Sequence, residues 1–390
     1  MAEIKGAYDE QFKPVADQLA AYLKSGEDIG ASVAVFIDGE AVVDIYGGNA
    51  DEAKTKEWQS DTIVNTFSTT KTMTALSMLI LADRGVVDLD EKVTKYWPEY
   101  GQKGKENTLV KHLLGHSAGM PGWTEPATVE DICDLDIATE MLAKQAPWWE
   151  PGTAIGYHPI TFGPLISEVI RRATDKTLTQ FFNEEVAGAI GADFQIGVRP
   201  EDDDRISNMI QSSPIRPRAG DGTMTDLAFF NPYVYPQTSA TTTWRRAELG
   251  GSNGHGNAKG AAMVQHVLAC GGEAFGKRLL SKEGVERALE VIGEGSDMIA
   301  GFAAKWGMGY ALNNQTLATL FPDRFTGHRI AVWGGSGGSL AFNDFDERMT
   351  IAYVMNKHVE DQTGLGYRGI EYVKAVYDAL KGKRTTTAAR

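Results

Sequence analysis

Ser68-Thr69-Thr70-Lys71 opens a stretch whose apolar residues Met73, Leu76, Leu79 and Ile80 recur at helical spacing and which Gly85 brings to a stop. The pattern predicts a helix over 69–84 with a serine and a lysine on its first turn. Residues three apart on a helix are neighbours, with Cβ atoms roughly 5–6 Å apart. At that spacing a lysine amine can take a serine proton, provided that burial or a nearby cation or phenol lowers its pKa from about 10.4. The helix N-terminus adds free N–H groups and a positive field suited to an oxyanion. The plainer reading of the same residues is a serine N-cap beside a surface lysine, since S-x-x-K alone also arises by chance.

Outward from this helix, the two ends of the chain read alike and the middle differs. Residues 9–24 carry Phe12, Val15, Leu19, Ala20, Tyr22 and Leu23 near a helical period, and two β-branched runs, 31–37 and 41–46, flank Asp38-Gly39, a hairpin signal. Residues 86–300 are broken by Gly and Pro, with helical patterns near 109–115, 130–144, 162–173, 177–187, 258–270 and 281–292. Beyond them come strand-like runs at 306–312, 329–333, 339–343 and 349–356, a helix over 370–380 and a polar tail, Lys383–Arg390, expected to fray. Strands at both ends with helices between predict an α/β (α+β) fold. One antiparallel sheet, flanked by helices, is built from residues 1–85 and 301–390, a mostly helical lobe of residues 86–300 is inserted, and the active site lies between them.

The 390 residues are 42% hydrophobic and 23% charged, ordinary globular composition. With 38 Lys and Arg against 52 Asp and Glu, the net charge is −14, which disfavours phosphate backbones and anionic lipid, so neither nucleic acid nor membrane is an expected partner. The densest acidic run, Glu201-Asp202-Asp203-Asp204, reads as a solvated loop. Two cysteines, Cys133 and Cys270, rule out a disulfide framework and offer no zinc pattern. Met1 to Phe12 has no apolar core of a signal peptide, and no run approaches 18 apolar residues. These features predict a soluble, cytoplasmic protein with no metal or organic cofactor; they leave its oligomeric state open.

Two further serines match G-x-S-x-G: Ser117 in Gly115-His116-Ser117-Ala118-Gly119 and Ser336 in Gly334-Gly335-Ser336-Gly337-Gly338. A nucleophile elbow needs a strand before the serine and a helix after it. Ser117 follows a helical pattern and precedes Met120-Pro121-Gly122; Ser336 lies between two strand-like runs. Both contexts fail. His112 and His116 have the spacing of a zinc pair on a helix, but Leu113 stands where H-E-x-x-H needs glutamate, and no third ligand suggests itself. Asn253-Gly254-His255-Gly256-Asn257 lacks the lysine of a phosphate loop and reads as a turn leading into a helix. Phe67 reads as core.

Three motifs in order carry a resemblance. Ser68-Thr69-Thr70-Lys71 is followed by Trp149-Glu150-Pro151-Gly152-Thr153 leading to Gly156-Tyr157-His158, and then by Trp333-Gly334-Gly335 on a late strand. In this order and separation the chain resembles serine hydrolases of the β-lactamase and penicillin-binding-protein type, over nearly its whole length. Within that superfamily it is most similar to the family VIII carboxylesterases, which commonly carry W-G-G in place of K-T-G. Two departures from the β-lactamase pattern stand out. Y-x-N reads Tyr157-His158-Pro159, without the asparagine amide, and the lysine of K-T-G is Trp333, without the cation that grips a substrate carboxylate.

The resemblance implies Ser68 as nucleophile, Lys71 and Tyr157 as its proton partners in an undetermined order, and an oxyanion hole from the backbone N–H groups of Ser68 and Ser336. Trp333, Gly334, Gly335, Trp123 and His158 are the expected substrate-binding residues, with Trp148 and Trp149 as further pocket candidates whose simple packing in the core is as good a reading. Glycine at 334 and 335 is expected to let substrate lie close to the strand. The expected activity is cleavage of short-chain, uncharged carboxylic esters through an acyl-enzyme. Transfer of the acyl group to a metabolite alcohol and weak β-lactam or amide hydrolysis are alternatives; a catalytically dead scaffold or a hydrolase using Ser117 are more distant ones.

Overall fold

The computed structural model describes residues 3–212, 221–314, 317, 319, 327–360 and 364–387. Among these, the main sheet contains β1 (Ile4–Tyr8), β2 (Gly30–Ile37), β3 (Glu40–Gly48), β4 (Gly293–Ser296), β5 (Ala303–Trp306), β6 (Ala311–Leu312), β7 (Ile330–Gly334), β8 (Leu340–Asp344) and β9 (Met349–Met355). They lie in the order β1-β3-β2-β9-β8-β7-β6-β5-β4. Every neighbouring pair is antiparallel. The two ends of the chain meet at the sheet's centre, where Ala31 to Ile37 run opposite Met355 to Met349. The β2–β3 hairpin turns through Asp38 and Gly39 at φ 52° and 90°, the left-handed pair that matches strand twist.

Strands β7, β8 and β9 are buried at every residue, which requires cover on both faces. Side-chain alternation shows what supplies it. On one face, Tyr353 and Phe342 meet Tyr372 and Tyr377 of the C-terminal helix Tyr367–Thr387. On the other, Thr350 and Asn343 reach His266 and Gln265 of the helix Ala258–Ala269. The helix Lys13–Ser25, with Pro14 in its first turn and Gly26 in the left-handed region at its end, carries Tyr22 against Tyr372.

Several elements differ from their sequence reading, each for a local reason. The run 306–312 is two short strands, because the chain turns at Gly309, φ 83°. The pattern over 130–144 splits at Asp134, whose carboxylate accepts from Asp136 N and Ile137 N and caps a second helix, Leu135–Lys144. Within 177–187 the helix widens to a π turn over Phe182–Ala187. Strand β1 escapes detection because it is a short, mostly exposed edge with Gly6 at its middle. Strand β4 and the helix Ala258–Ala269 both belong with the sheet although they precede residue 301. The last helix extends through Thr387 into the tail expected to fray, and residues 388–390 lie outside the described part. No described helix is long and apolar enough to cross a membrane.

Candidate active site

Strand Ile63–Asn65 ends in Thr66, whose N–H donates to Gly254 O at 2.8 Å. The next residue, Phe67, sits at φ 44°, an unfavourable conformation for a bulky side chain, held because its ring is buried against Trp244 and His358. This turn delivers Ser68 in the single 3₁₀ turn Phe67–Thr69 that leads into the helix Thr70–Asp83. Ser68 is not the cap of that helix; the N-cap position is Thr69 and makes no side-chain cap bond. Thr70 to Leu81 are buried, Lys71 among them at 0% exposure.

Lys71 Nζ lies 3.1 Å from Ser68 Oγ, 2.7 Å from Pro159 O and 2.9 Å from Gly251 O. None of these partners is an anion, and burial alone holds the amine well below the ordinary lysine range. Tyr157 OH donates to Ser68 Oγ at 2.8 Å. Its ring lies 5.0 Å from Lys71 Nζ. Burial pushes the phenol well above its usual pKa, against hydrogen bonds with Ser68 and Trp333 that act the other way. Ser68, Lys71 and Tyr157 are thus brought together from one helix and one distant loop, as the sequence reading expected.

The loop is fixed from several sides. Asp297 Oδ1 accepts from the Tyr157 N–H at 3.0 Å. His158 is fully buried: Nδ1 bonds Gly156 O at 2.6 Å and Nε2 accepts from Met120 N at 3.1 Å. Burial pushes its pKa down to about 3. With both ring nitrogens committed, it cannot serve as the substrate-binding residue the sequence suggested; it braces the backbone beside Tyr157. Trp123 also departs from expectation. It is 1% exposed and its indole N–H donates to Ala138 O, so it belongs to the core. Trp148, half-buried, donates to Thr124 Oγ1 at 3.0 Å, and half-buried Trp149 packs edge-on to His158.

Trp333 sits where expected, beside the triad. Its ring centroid is 5.6 Å from that of Tyr157 and 4.9 Å from that of Trp306, and Phe229 closes on Tyr157 at 6.0 Å. Gly334 and Gly335, however, make room for the protein rather than for substrate. A Cβ at Gly334 would lie 2.3 Å from Gly364 O, and one at Gly335 would lie 2.1 Å from Thr66 O. Ser336 is exposed, with Oγ 2.8 Å from His358 Nε2. Its loop is tied to the Ser68 turn by Ser339 Oγ, which donates to Thr66 O and meets Thr69 Oγ1 at 2.9 Å. Among the described residues, no backbone carbonyl accepts from the N–H of Ser68 or of Ser336.

Of the remaining sequence candidates, His116 packs on Tyr157 at a ring-centroid distance of 5.2 Å. Ser117 is buried, and among the described residues its Oγ has no hydrogen-bond partner and hence no base. His112 accepts from Leu109 N through Nδ1, while His116 accepts from His158 N and is enclosed by Tyr157, Phe162, Trp306 and Trp333. Asn257 caps the helix Ala258–Ala269 by accepting from Gly260 N at 2.7 Å. His328, Asp344 and Asp346 cluster closely enough to suggest a metal site, but Asp344 Oδ2 is already shared by His328 and Tyr377. Sequence reasoning missed Asp297 and the carbonyls of Pro159 and Gly251. A backbone carbonyl leaves no residue-type signal, and Asp297 belongs to no motif.

Residues 15–373 match the beta-lactamase family. The chain is 30% identical over 370 residues to the esterase/beta-lactamase LipL of Mycobacterium tuberculosis, covering 90% of this chain and 82% of that protein. The crystal structure of a family VIII carboxylesterase superposes with a TM-score of 0.89 at 37% identity, over 97% of this chain and all, 100%, of the other. EstA from Arthrobacter nitroguajacolicus gives a TM-score of 0.85 at 28% identity, over 96% and 98% of the two chains.

Proposed function

This chain belongs to the beta-lactamase family and is a serine hydrolase of its carboxylesterase branch; on that premise we propose that it cleaves short-chain, uncharged carboxylic esters through an acyl-enzyme on Ser68. The observation that carries this reading is the arrangement of protons around one oxygen. Ser68 Oγ sits between the buried amine of Lys71 at 3.1 Å and the phenol of half-buried Tyr157 at 2.8 Å. Burial drives both toward their neutral forms. A neutral Lys71 spends its two N–H groups on Pro159 O and Gly251 O, which leaves its lone pair facing Ser68. Ser68 then donates to Lys71 while accepting from Tyr157.

In acylation Ser68 Oγ attacks the ester carbonyl and its proton passes to Lys71. The tetrahedral intermediate collapses as Tyr157 gives its proton to the departing alkoxide. The acyl-enzyme holds a lysine ammonium beside a phenolate. Water then gives a proton to Tyr157 and attacks the acyl carbon, and Ser68 leaves with the proton from Lys71, restoring the resting state. The N–H groups of Ser68 and Ser336 receive the oxyanion; among the described residues no backbone carbonyl accepts from either of them.

The uncharged substrate follows from Trp333. Where relatives of the β-lactamase type carry a lysine, an aromatic ring packs against Tyr157 and Trp306 and offers a carboxylate nothing. Pro159 replaces the asparagine amide and supplies only its carbonyl, which Lys71 occupies. The test is labelling with an organophosphonate ester and mapping of the adduct, with p-nitrophenyl butyrate turnover in parallel. An adduct on Ser68 with loss of turnover is expected. An adduct on Ser117, or nitrocefin turnover matching ester turnover, would overturn the reading.

A further inference from the structure

We propose that Asp297 is the positioning residue that keeps Tyr157 in register with Ser68, by joining the tyrosine loop to the aromatic wall in a single carboxylate. The proposal rests on the role assigned above to Tyr157. Asp297 is 1% exposed. Its Oδ1 accepts from Tyr157 N at 3.0 Å, Ile299 N at 2.9 Å and Ala300 N at 2.7 Å. Its Oδ2 accepts from Trp306 Nε1 at 2.9 Å. The Trp306 ring stacks on Tyr157 at an interplanar angle of 28° and packs on Trp333. One side chain therefore fixes both the backbone that carries the phenol and the ring that lies against it.

The surrounding bonds make this a junction rather than a simple turn cap. Met298 N donates to Ile155 O at 3.0 Å, pinning the residue after Asp297 to the strand of chain that leads into Tyr157. Ile299 O accepts from Thr225 Oγ1 at 3.1 Å. That bond fastens the helix Met224–Phe230, whose Phe229 also packs on Tyr157. A turn cap alone needs only the bonds to Ile299 and Ala300. The additional bonds to Tyr157 and Trp306 point into the active site. A buried carboxylate is costly unless its oxygens are satisfied, and four donors converge on it here. Its charge also adds, behind burial, to what keeps the phenol protonated.

The experiment compares Asp297→Ala, Asp297→Asn, Trp306→Phe and Tyr157→Phe in the full chain. Each is measured as kcat per Ser68 titrated by the phosphonate, KM for p-nitrophenyl butyrate, and Tm. Misplacement of a catalytic group by about 1 Å costs on the order of 100-fold. Asp297→Ala is expected to lower kcat per titrated site about 30-fold or more with KM within about twofold. Asp297→Asn, which keeps a carbonyl oxygen for the backbone donors but opposes an N–H to Trp306, should lose about fivefold, and Trp306→Phe about two- to threefold. Should Asp297→Ala not fold, the other two carry the same comparison. A Tyr157→Phe variant that is nearly inactive while every Asp297 variant turns over like wild type per titrated site overturns the proposal alone. So does a fall confined to Tm and to the titratable fraction. Full turnover in Tyr157→Phe would overturn the role of the tyrosine, and this proposal with it.

Discussion

Gly335→Ala places a methyl group where the structure has none to spare, and its consequence can be followed to the reacting atoms. The new Cβ would lie 2.1 Å from Thr66 O, 2.3 Å from Ser339 Oγ and 3.0 Å from Thr69 Oγ1. Ser339 Oγ could rotate away, but Thr66 O could not, because it belongs to the turn that sets Ser68. Ordinary contact requires the strand end and the Ser68 turn to separate by about 1 Å. That movement carries the Ser336 N–H away from the oxyanion. Losing one such donor costs on the order of 3 kcal/mol, equivalent to a fall of about 100-fold in kcat. Overpacking should also lower stability by about 1–3 kcal/mol. The assay is kcat for p-nitrophenyl butyrate per phosphonate-titrated site, with urea unfolding on the same samples. If Gly335→Ala unfolds like wild type and retains turnover within about threefold, the loop is not held against Thr66 and Ser336 is not the second donor.

Three other outcomes follow from the same geometry. Ser68→Ala should lose turnover and phosphonate labelling together, whereas Ser336→Ala, which removes only a hydroxyl bonded to His358, should keep at least about a tenth of wild-type kcat; the reverse ranking would reassign the nucleophile. The kcat/KM profile should rise with pH as Lys71 loses its proton, because only the neutral amine is a base, and burial places that rise below the ordinary lysine value of 10.5. Ionisation of Tyr157 should depress activity only above the ordinary tyrosine value of 10.0, and an acid limb centred at or above 10.5 would contradict the assignment. Arg368, 1% exposed, pairs with Asp28 and donates to Gly337 O and Lys357 O at 2.6 and 2.8 Å. Arg368→Met leaves Asp28 buried without its cation and should cost about 3–5 kcal/mol in urea unfolding; a loss under about 1 kcal/mol would show that the pair is not holding the loop.

The features legible in the sequence were those that repeat along the chain or sit within a few residues of each other. The Asp38-Gly39 hairpin, the helix bearing Ser68 and Lys71, and the late strands all follow from local periodicity and turn chemistry, which need no knowledge of neighbours. Lys71 and Tyr157, to which the resemblance gives the proton roles, were legible because three motifs fall in a fixed order. Burial and partnership are different in kind. His158 is adjacent in sequence to Tyr157 and Trp123 is of the right chemical type for a pocket, yet Trp123 donates into the core and His158 has both nitrogens committed. Gly334 and Gly335 look like a bare floor for substrate, and only the approach of Gly364 O and Thr66 O reveals why a side chain is excluded.

By itself, then, the sequence determined the class of catalyst, because its three motifs in order resemble those of serine hydrolases of the β-lactamase type. It also determined the loss of a cation at Trp333. Tertiary structure alone decided the surroundings that push Lys71 and Tyr157 toward their neutral forms, since these come from distant residues such as Gly251, 180 positions from Lys71, and Trp333. It alone revealed Asp297, whose four bonds join segments that share no local pattern. Local patterns are written in the spacing of residues along the chain, whereas desolvation and long-range hydrogen bonds exist only once the chain has closed around them.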